Sequence, residues 1–114
     1  MTTAYLIVIY TQQLEANQSF YEALGISFEK GQHGNGPEHL SGKLGNTVFE
    51  LYPAAEASQV THTRLGLMAD ENTSLTDADK EQLKSLADAV HPFDNGQTYL
   101  VMTDPDGRSI EFLY

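Results

Sequence analysis

The final stretch of this chain constrains it most: Asp104-Pro105-Asp106-Gly107-Arg108-Ser109-Ile110-Glu111-Phe112-Leu113-Tyr114. Asp-Pro-Asp-Gly specifies a tight turn, because proline presets φ at its second position and glycine tolerates the positive φ that closes a hairpin. The segment after it alternates as a strand does, with Ile110, Phe112 and Tyr114 on one face and Ser109, Glu111 and Leu113 on the other. An unpaired carboxylate is costly to bury among apolar neighbours. Glu111 is therefore expected to face a solvated cavity, a cation or a partner.

The same pattern occurs earlier. Gly45-Asn46 is a hairpin signal, and Thr47-Val48-Phe49-Glu50-Leu51-Tyr52 follows it. Glu50 corresponds to Glu111, Phe49 to Ile110 and Leu51 to Phe112. Gly36-Pro37-Glu38-His39 precedes the first hairpin as Gly96-Gln97-Thr98-Tyr99 precedes the second. The period is longer than that of a solenoid repeat. The reading is one pseudo-symmetric domain over residues 1–114, with repeats at about residues 4–53 and 62–114.

The rest of the chain fills this frame. Tyr5 to Tyr10 is β-branched and aromatic and reads as a buried strand. Leu14 to Leu24 has helical spacing in Leu14, Asn17, Tyr21 and Leu24, with Gly25 as the stop. Ile26 to Lys30 alternates as a second strand. Gly31 to Pro37 is a glycine-rich loop without the lysine and serine of a phosphate loop. His39 to Lys43 and Thr47 to Tyr52 form the first hairpin. Pro53 to Thr61 connects the copies. The second copy opens with Arg64 to Ala69. A helix follows, with Thr76 as its cap, Leu83, Leu86, Ala87 and Val90 on its apolar face, and His91-Pro92 as its end. Val90 to Asn95 is a short or irregular counterpart of the second strand, and Gln97 to Thr103 and Arg108 to Tyr114 close the copy. The order is βαβββ twice, an α+β fold.

Composition excludes several function classes. The formal net charge is −10, which argues against nucleic acid and anionic membrane as partners, since their phosphates call for basic patches. There is no cysteine, hence no disulfide frame and no thiolate ligand or nucleophile. No apolar run approaches the ~20 residues of a membrane span, and the run Tyr5–Ile9 is too short for a secretory signal. A cytoplasmic location is the expectation.

Leu14-Glu15-Ala16-Asn17-Gln18-Ser19-Phe20-Tyr21-Glu22-Ala23-Leu24-Gly25, the Thr47–Tyr52 strand and the terminal Asp-Pro-Asp-Gly stretch together resemble the vicinal oxygen chelate superfamily. That superfamily includes glyoxalase I, bleomycin-resistance proteins, fosfomycin-resistance enzymes and extradiol dioxygenases. The resemblance spans nearly the whole chain and rests on the order and spacing of the pieces. It implies two βαβββ modules forming a U-shaped sheet trough, with helices on the outer face, and a homodimer as the assembly. In metal-dependent members the first and last strands of each module donate His and Glu or Gln ligands, and the metal acts as a Lewis acid on vicinal substrate oxygens.

Carried onto this chain, the closing-strand ligand positions fall on Glu50 and Glu111, and the opening-strand positions on Leu6 and Arg64. The histidine positions are not matched: leucine has no lone pair, and a protonated arginine cannot ligate. Two outcomes stay open, a divalent metal held by Glu50 and Glu111 or no tightly bound ion. Without a metal, Glu50, Glu111 and His39 are candidates for acid–base work, and Arg64 supplies the cation between carboxylates. His62 reads as a surface residue, and His33 and His91 carry no signal. Leu6, Val8, Tyr10, Met68 and Tyr99 are the assigned trough lining, suited to a flat organic molecule, with Arg64, Tyr10, Tyr99, Leu6 and Met68 as its binding residues. The functional expectation is a glyoxalase/bleomycin-resistance-like protein that binds a small organic molecule. The alternatives are a metal-dependent lyase or isomerase of lactoylglutathione-lyase type, and a metal-free drug-sequestering resistance protein.

Overall fold

A computed structural model describes residues 1–114. The strands are β1 (Leu6–Thr11), β2 (Phe28–Gly31), β3 (His39–Leu44), β4 (Thr47–Pro53), β5 (Leu65–Met68), β6 (Ala89–Pro92), β7 (Thr98–Thr103) and β8 (Ser109–Leu113). The helices are α1 (Leu14–Ala23) and α2 (Asp77–Leu86). The strands make two four-stranded sheets of the same topology, β1-β4-β3-β2 and β5-β8-β7-β6. In each, the opening strand runs parallel to the closing one and the remaining pairs are antiparallel. The fold is α+β, two βαβββ modules. Contacts divide the chain into two compact units, residues 1–22 with 26–61, and residues 23–25 with 62–114.

In the first unit, alternation sorts the side chains. Ile9, Phe49, Leu51 and Leu40 are buried. They come from β1, β4 and β3 in register, Ile9 beside Leu51 and Leu40 beside Leu51. Helix α1 covers this face through Tyr21, which meets the Phe49 ring edge-on at 5.3 Å between centroids, a favoured aromatic geometry. The helix begins where buried Asn17 donates to Thr11 Oγ1 at 2.9 Å and to the Gln13 carbonyl at 3.0 Å. It stops at Gly25, whose φ of 95° lets Ile26 N reach the Tyr21 carbonyl at 3.3 Å, the six-to-one bond of a Schellman end.

The second unit repeats the arrangement with Leu100, Met102, Ile110 and Phe112 buried. Helix α2 has the cap read from its sequence: Thr76 Oγ1 accepts from Asp79 N, and the Asp79 carboxylate accepts from Thr76 N. Its far end differs from the sequence reading. The helix ends at Leu86 and the chain extends at once into β6. Val90 therefore belongs to a strand paired with Leu100, not to the helical face, and Leu86 is 62 % exposed. The spacing of Ala87 and Val90 suits a helix, but Val90 is β-branched and also suits a strand, and pairing with β7 decided between the two.

The closing turn is built more heavily than a hairpin needs. Gly107 N bonds the Asp104 carbonyl at 2.9 Å and Gly107 has φ 87°, a three-residue hairpin loop with its left-handed residue last. Inside it, Arg108 Nη1 reaches Asp104 Oδ2 at 2.7 Å and Asp106 Oδ2 at 3.0 Å, with all three side chains almost fully buried. Asp104 Oδ1 also accepts from the backbone N–H groups of Asp106 and Arg108. Removing one member of such a cluster leaves an uncompensated buried charge. Arg108→Met is expected to cost about 3–5 kcal/mol in urea unfolding. Glu81→Ala, which breaks the exposed Lys84–Glu81 pair, should change stability by less than about 1 kcal/mol. Equal effects of the two variants would refute the structural weight given to the turn.

Candidate functional site

The sheet face opposite α1 carries the polar and aromatic set. His39, buried with 2 % exposure, stacks flat on Tyr52, with ring centroids 4.2 Å apart and 7° between planes. Tyr52 touches Tyr10 on the next strand, at 5.6 Å. His33 stacks on the other side of His39, at 4.9 Å and 26°. The row Tyr10–Tyr52–His39–His33 thus crosses from β1 through β4 and β3 to the β2–β3 loop. Glu50 stands two residues before Tyr52 and on the same face, its carboxylate 3.3 Å from His39 Nε2. His39 Nδ1 lies 3.4 Å from the Pro37 carbonyl. The donor atoms of His33, His39 and Glu50 lie within 4.8 Å of one another. The first unit therefore holds a set of three side chains able to ligate a metal.

Leu6, Val8 and Tyr10 share this face by register, Val8 beside Glu50 and Tyr10 beside Tyr52. Leu6 and Tyr10 are about two-fifths exposed. Partial burial, then the Glu50 charge, then Tyr10 raise the Tyr52 pKa above its ordinary value of 10.0.

The second unit places the equivalent positions differently. Gly66 lies beside Glu111, where the first unit has Val8 beside Glu50. Arg64 lies two residues before Gly66, and its guanidinium pairs with the Glu111 carboxylate. The Arg64 side chain is 71 % exposed and that of Glu111 is 24 % exposed. Beside this pair is a hollow of about 230 Å³ lined by Gly66, Leu67, Met68, Tyr99, Glu111 and Leu113. A Cβ added at Gly66 would meet nothing within 4 Å, so the open space is owed in part to that glycine. Tyr99 is flanked by His91 and Phe93, with ring centroids at 5.7 and 6.3 Å.

The sequence-derived residues thus fall into two groups. Glu50, His39, Tyr10 and Leu6 belong to the first unit, and Glu111, Arg64, Met68 and Tyr99 to the second. His33, which no motif or periodicity marked, lies against His39. Its signal was distance alone: a histidine six residues before His39, in a loop that returns the chain to the same sheet. The loop holds it through a 2.9 Å bond from Gly36 N to the His33 carbonyl and another of 2.9 Å from Gln32 Nε2 to the Gly36 carbonyl.

No protein family and no curated protein matches the chain by sequence. Solved structures do match by shape. A lactoylglutathione lyase from Agrobacterium tumefaciens aligns with TM-score 0.62 and 21% identity over 99% of this chain and 93% of its own. The oxidase ChaP-H2 aligns with TM-score 0.68 and 15% identity, over 98% and 92% of the two chains. An integron cassette protein from V. Cholerae aligns with TM-score 0.63 and 16% identity, over 99% and 94%. The chain has the vicinal oxygen chelate fold. At these identities the likeness carries the fold and leaves the activity to be argued from side chains. On this fold, the ligand positions implied by the resemblance fit a metal poorly. Leu6 has no donor atom, and the guanidinium of Arg64 already neutralises Glu111.

The raised Tyr52 pKa gives a test of the first group. A raised pKa means the folded protein holds the phenol proton more tightly than the unfolded chain does. The stability this contributes is full below the ordinary value of 10.0 and is lost as pH rises through the folded value. Ultraviolet titration should show one tyrosine ionising above the others, and Glu50→Gln should lower it. An unmoved titration in that variant would detach Tyr52 from Glu50.

Proposed function

We propose that this chain binds a small, neutral or cationic organic molecule in the hollow of its second unit, with Tyr99, Met68 and Leu113 as apolar wall and the Arg64–Glu111 pair at its edge. The observation that carries this reading is Gly66. With no side chain there, the sheet is open beside a partly shielded carboxylate, and the space left is that of a single-ring ligand rather than of a large drug. Fold neighbours that include a lactoylglutathione lyase and an oxidase support a small-molecule role in general terms.

Charge supports the choice of ligand. The chain carries −10, so an anion approaches against the field. Arg64 is the one nearby feature that would attract a carboxylate or phosphate, and Glu111 neutralises it. This sets the reading closer to a sequestering protein than to a metal-dependent lyase, which would require donors where Leu6 and Arg64 stand.

A thermal-shift screen of cationic aromatics, glutathione adducts and phosphorylated acids tests it. Stabilisation by neutral or cationic aromatics is expected. Gly66→Leu should weaken their binding at least ~10-fold, or about 1.4 kcal/mol, while the unliganded melting temperature stays near wild type. Arg64→Met should tighten cation binding by exposing the Glu111 charge. Stabilisation by anions alone, weakening with salt, would overturn the proposal in favour of the lyase class.

A further inference from the structure

We propose that His33, His39 and Glu50 form a site for a divalent first-row transition ion of the zinc kind, held entirely within the first unit. The site is distinct from the hollow of the second unit and does not depend on it.

The argument starts from an electrostatic mismatch. The Pro37 carbonyl, 3.4 Å from His39 Nδ1, and the Glu50 carboxylate near Nε2 can both only accept, while a neutral imidazole has one hydrogen to give; a hydrogen on Nδ1 satisfies the carbonyl. The other nitrogen, Nε2, then turns its lone pair toward a Glu50 oxygen 3.3 Å away. Two acceptors at that separation require something positive between them, a proton or a metal ion. A histidine backed at one ring nitrogen by a carbonyl and open at the other is the arrangement that orients metal-bound imidazoles.

Three further observations favour the ion. His33 brings a second imidazole to the same place, with all three donors within 4.8 Å of one another. Around a tetrahedral ion with bonds of about 2.0–2.2 Å, donors stand about 3.3–3.6 Å apart. The remaining closure is at most about 1.2–1.5 Å, within reach of the exposed His33 side chain. Gly31 supplies the room. It pairs with His39 across the β2–β3 ladder, and a Cβ at position 31 would stand 3.0 Å from His39 Nε2, the ligating atom. Glycine therefore leaves the Nε2 end of the His39 ring uncrowded. Finally, one carboxylate and two neutral imidazoles leave a divalent ion with a net charge of +1, which a chain of −10 favours.

The donor set selects the ion. Two imidazole nitrogens and one carboxylate suit zinc, cobalt, nickel or ferrous iron, whereas magnesium and calcium take oxygen ligands. Three protein ligands leave a coordination position open to water or to a ligand.

Calorimetric titration of the full chain with zinc, with magnesium as control, tests the proposal, and cobalt absorption in the visible reports the coordination geometry. One equivalent of zinc is expected, with no saturable magnesium binding. His39→Gln and Glu50→Gln should weaken zinc by more than the ~10–100-fold that loss of a partner behind a ligand costs. Because His39 is buried, two further variants guard against misfolding. His33→Ala removes an exposed donor. Gly31→Ala keeps all three donors and crowds the Nε2 end of the His39 ring. Both should weaken zinc at least ~10-fold with an unchanged circular dichroism spectrum. His62→Ala and His91→Ala should leave it unchanged. Zinc bound equally well by His33→Ala and Gly31→Ala, or no saturable zinc binding by the wild type, would overturn the site and assign the His39–Glu50 contact to a shared proton.

Discussion

Each closing strand of this fold presents one carboxylate in a mostly apolar sequence, and each carboxylate is largely but not fully withdrawn from water. A charge so placed must find a positive partner, because neither full burial nor full hydration is open to it. The two units answer that demand differently. Glu50 turns to His39, an imidazole that is buried and stacked on Tyr52. Glu111 turns to Arg64, a guanidinium that is mostly in solvent. The first answer makes a polar cluster enclosed by aromatic rings. The second makes a neutralised rim beside an apolar hollow.

The divergence follows from a few side chains at equivalent register positions. Leu6, Val8 and Tyr10 make the opening strand of the first unit a continuous apolar and aromatic stripe. Arg64, Gly66 and Met68 interrupt that stripe in the second. The missing side chain at 66 leaves the hollow open, and Arg64 pairs with Glu111 at its edge. His39 and Tyr99 stand in equivalent strands as well, so an imidazole able to ligate faces one carboxylate and a phenol lines the space near the other. The repeated backbone is thus one scaffold with two chemistries.

The Asp104–Arg108 turn holds the second of these in place. Its buried guanidinium and two carboxylates fix where β7 ends and β8 begins, and a shift of one residue would send Glu111 into the apolar layer occupied by Ile110 and Phe112. The ion-paired turn therefore acts on the site through register. Proline and glycine account for the reversal of the chain, and the arginine accounts for its exactness of alignment.

The sequence alone determined what depends on periodicity and local conformational preference. The two βαβββ modules, the cap at Thr76, the stop at Gly25 and the outward side of Glu50 and Glu111 all follow from alternation, helical spacing and turn chemistry within short windows. The boundary of α2 did not, because Ala87 and Val90 continue the helical spacing while the pairing of β6 with β7 is a long-range choice. Nor did the role of His33. A loop histidine has no periodicity to mark it, and only the return of the β2–β3 loop onto the sheet brings it against His39. The hollow beside Gly66 was equally silent, since an absent side chain defines a space only when its neighbours on adjacent strands are in position. Tertiary structure decided which side chain each carboxylate met, because those distances are set by strand register and not by sequence separation.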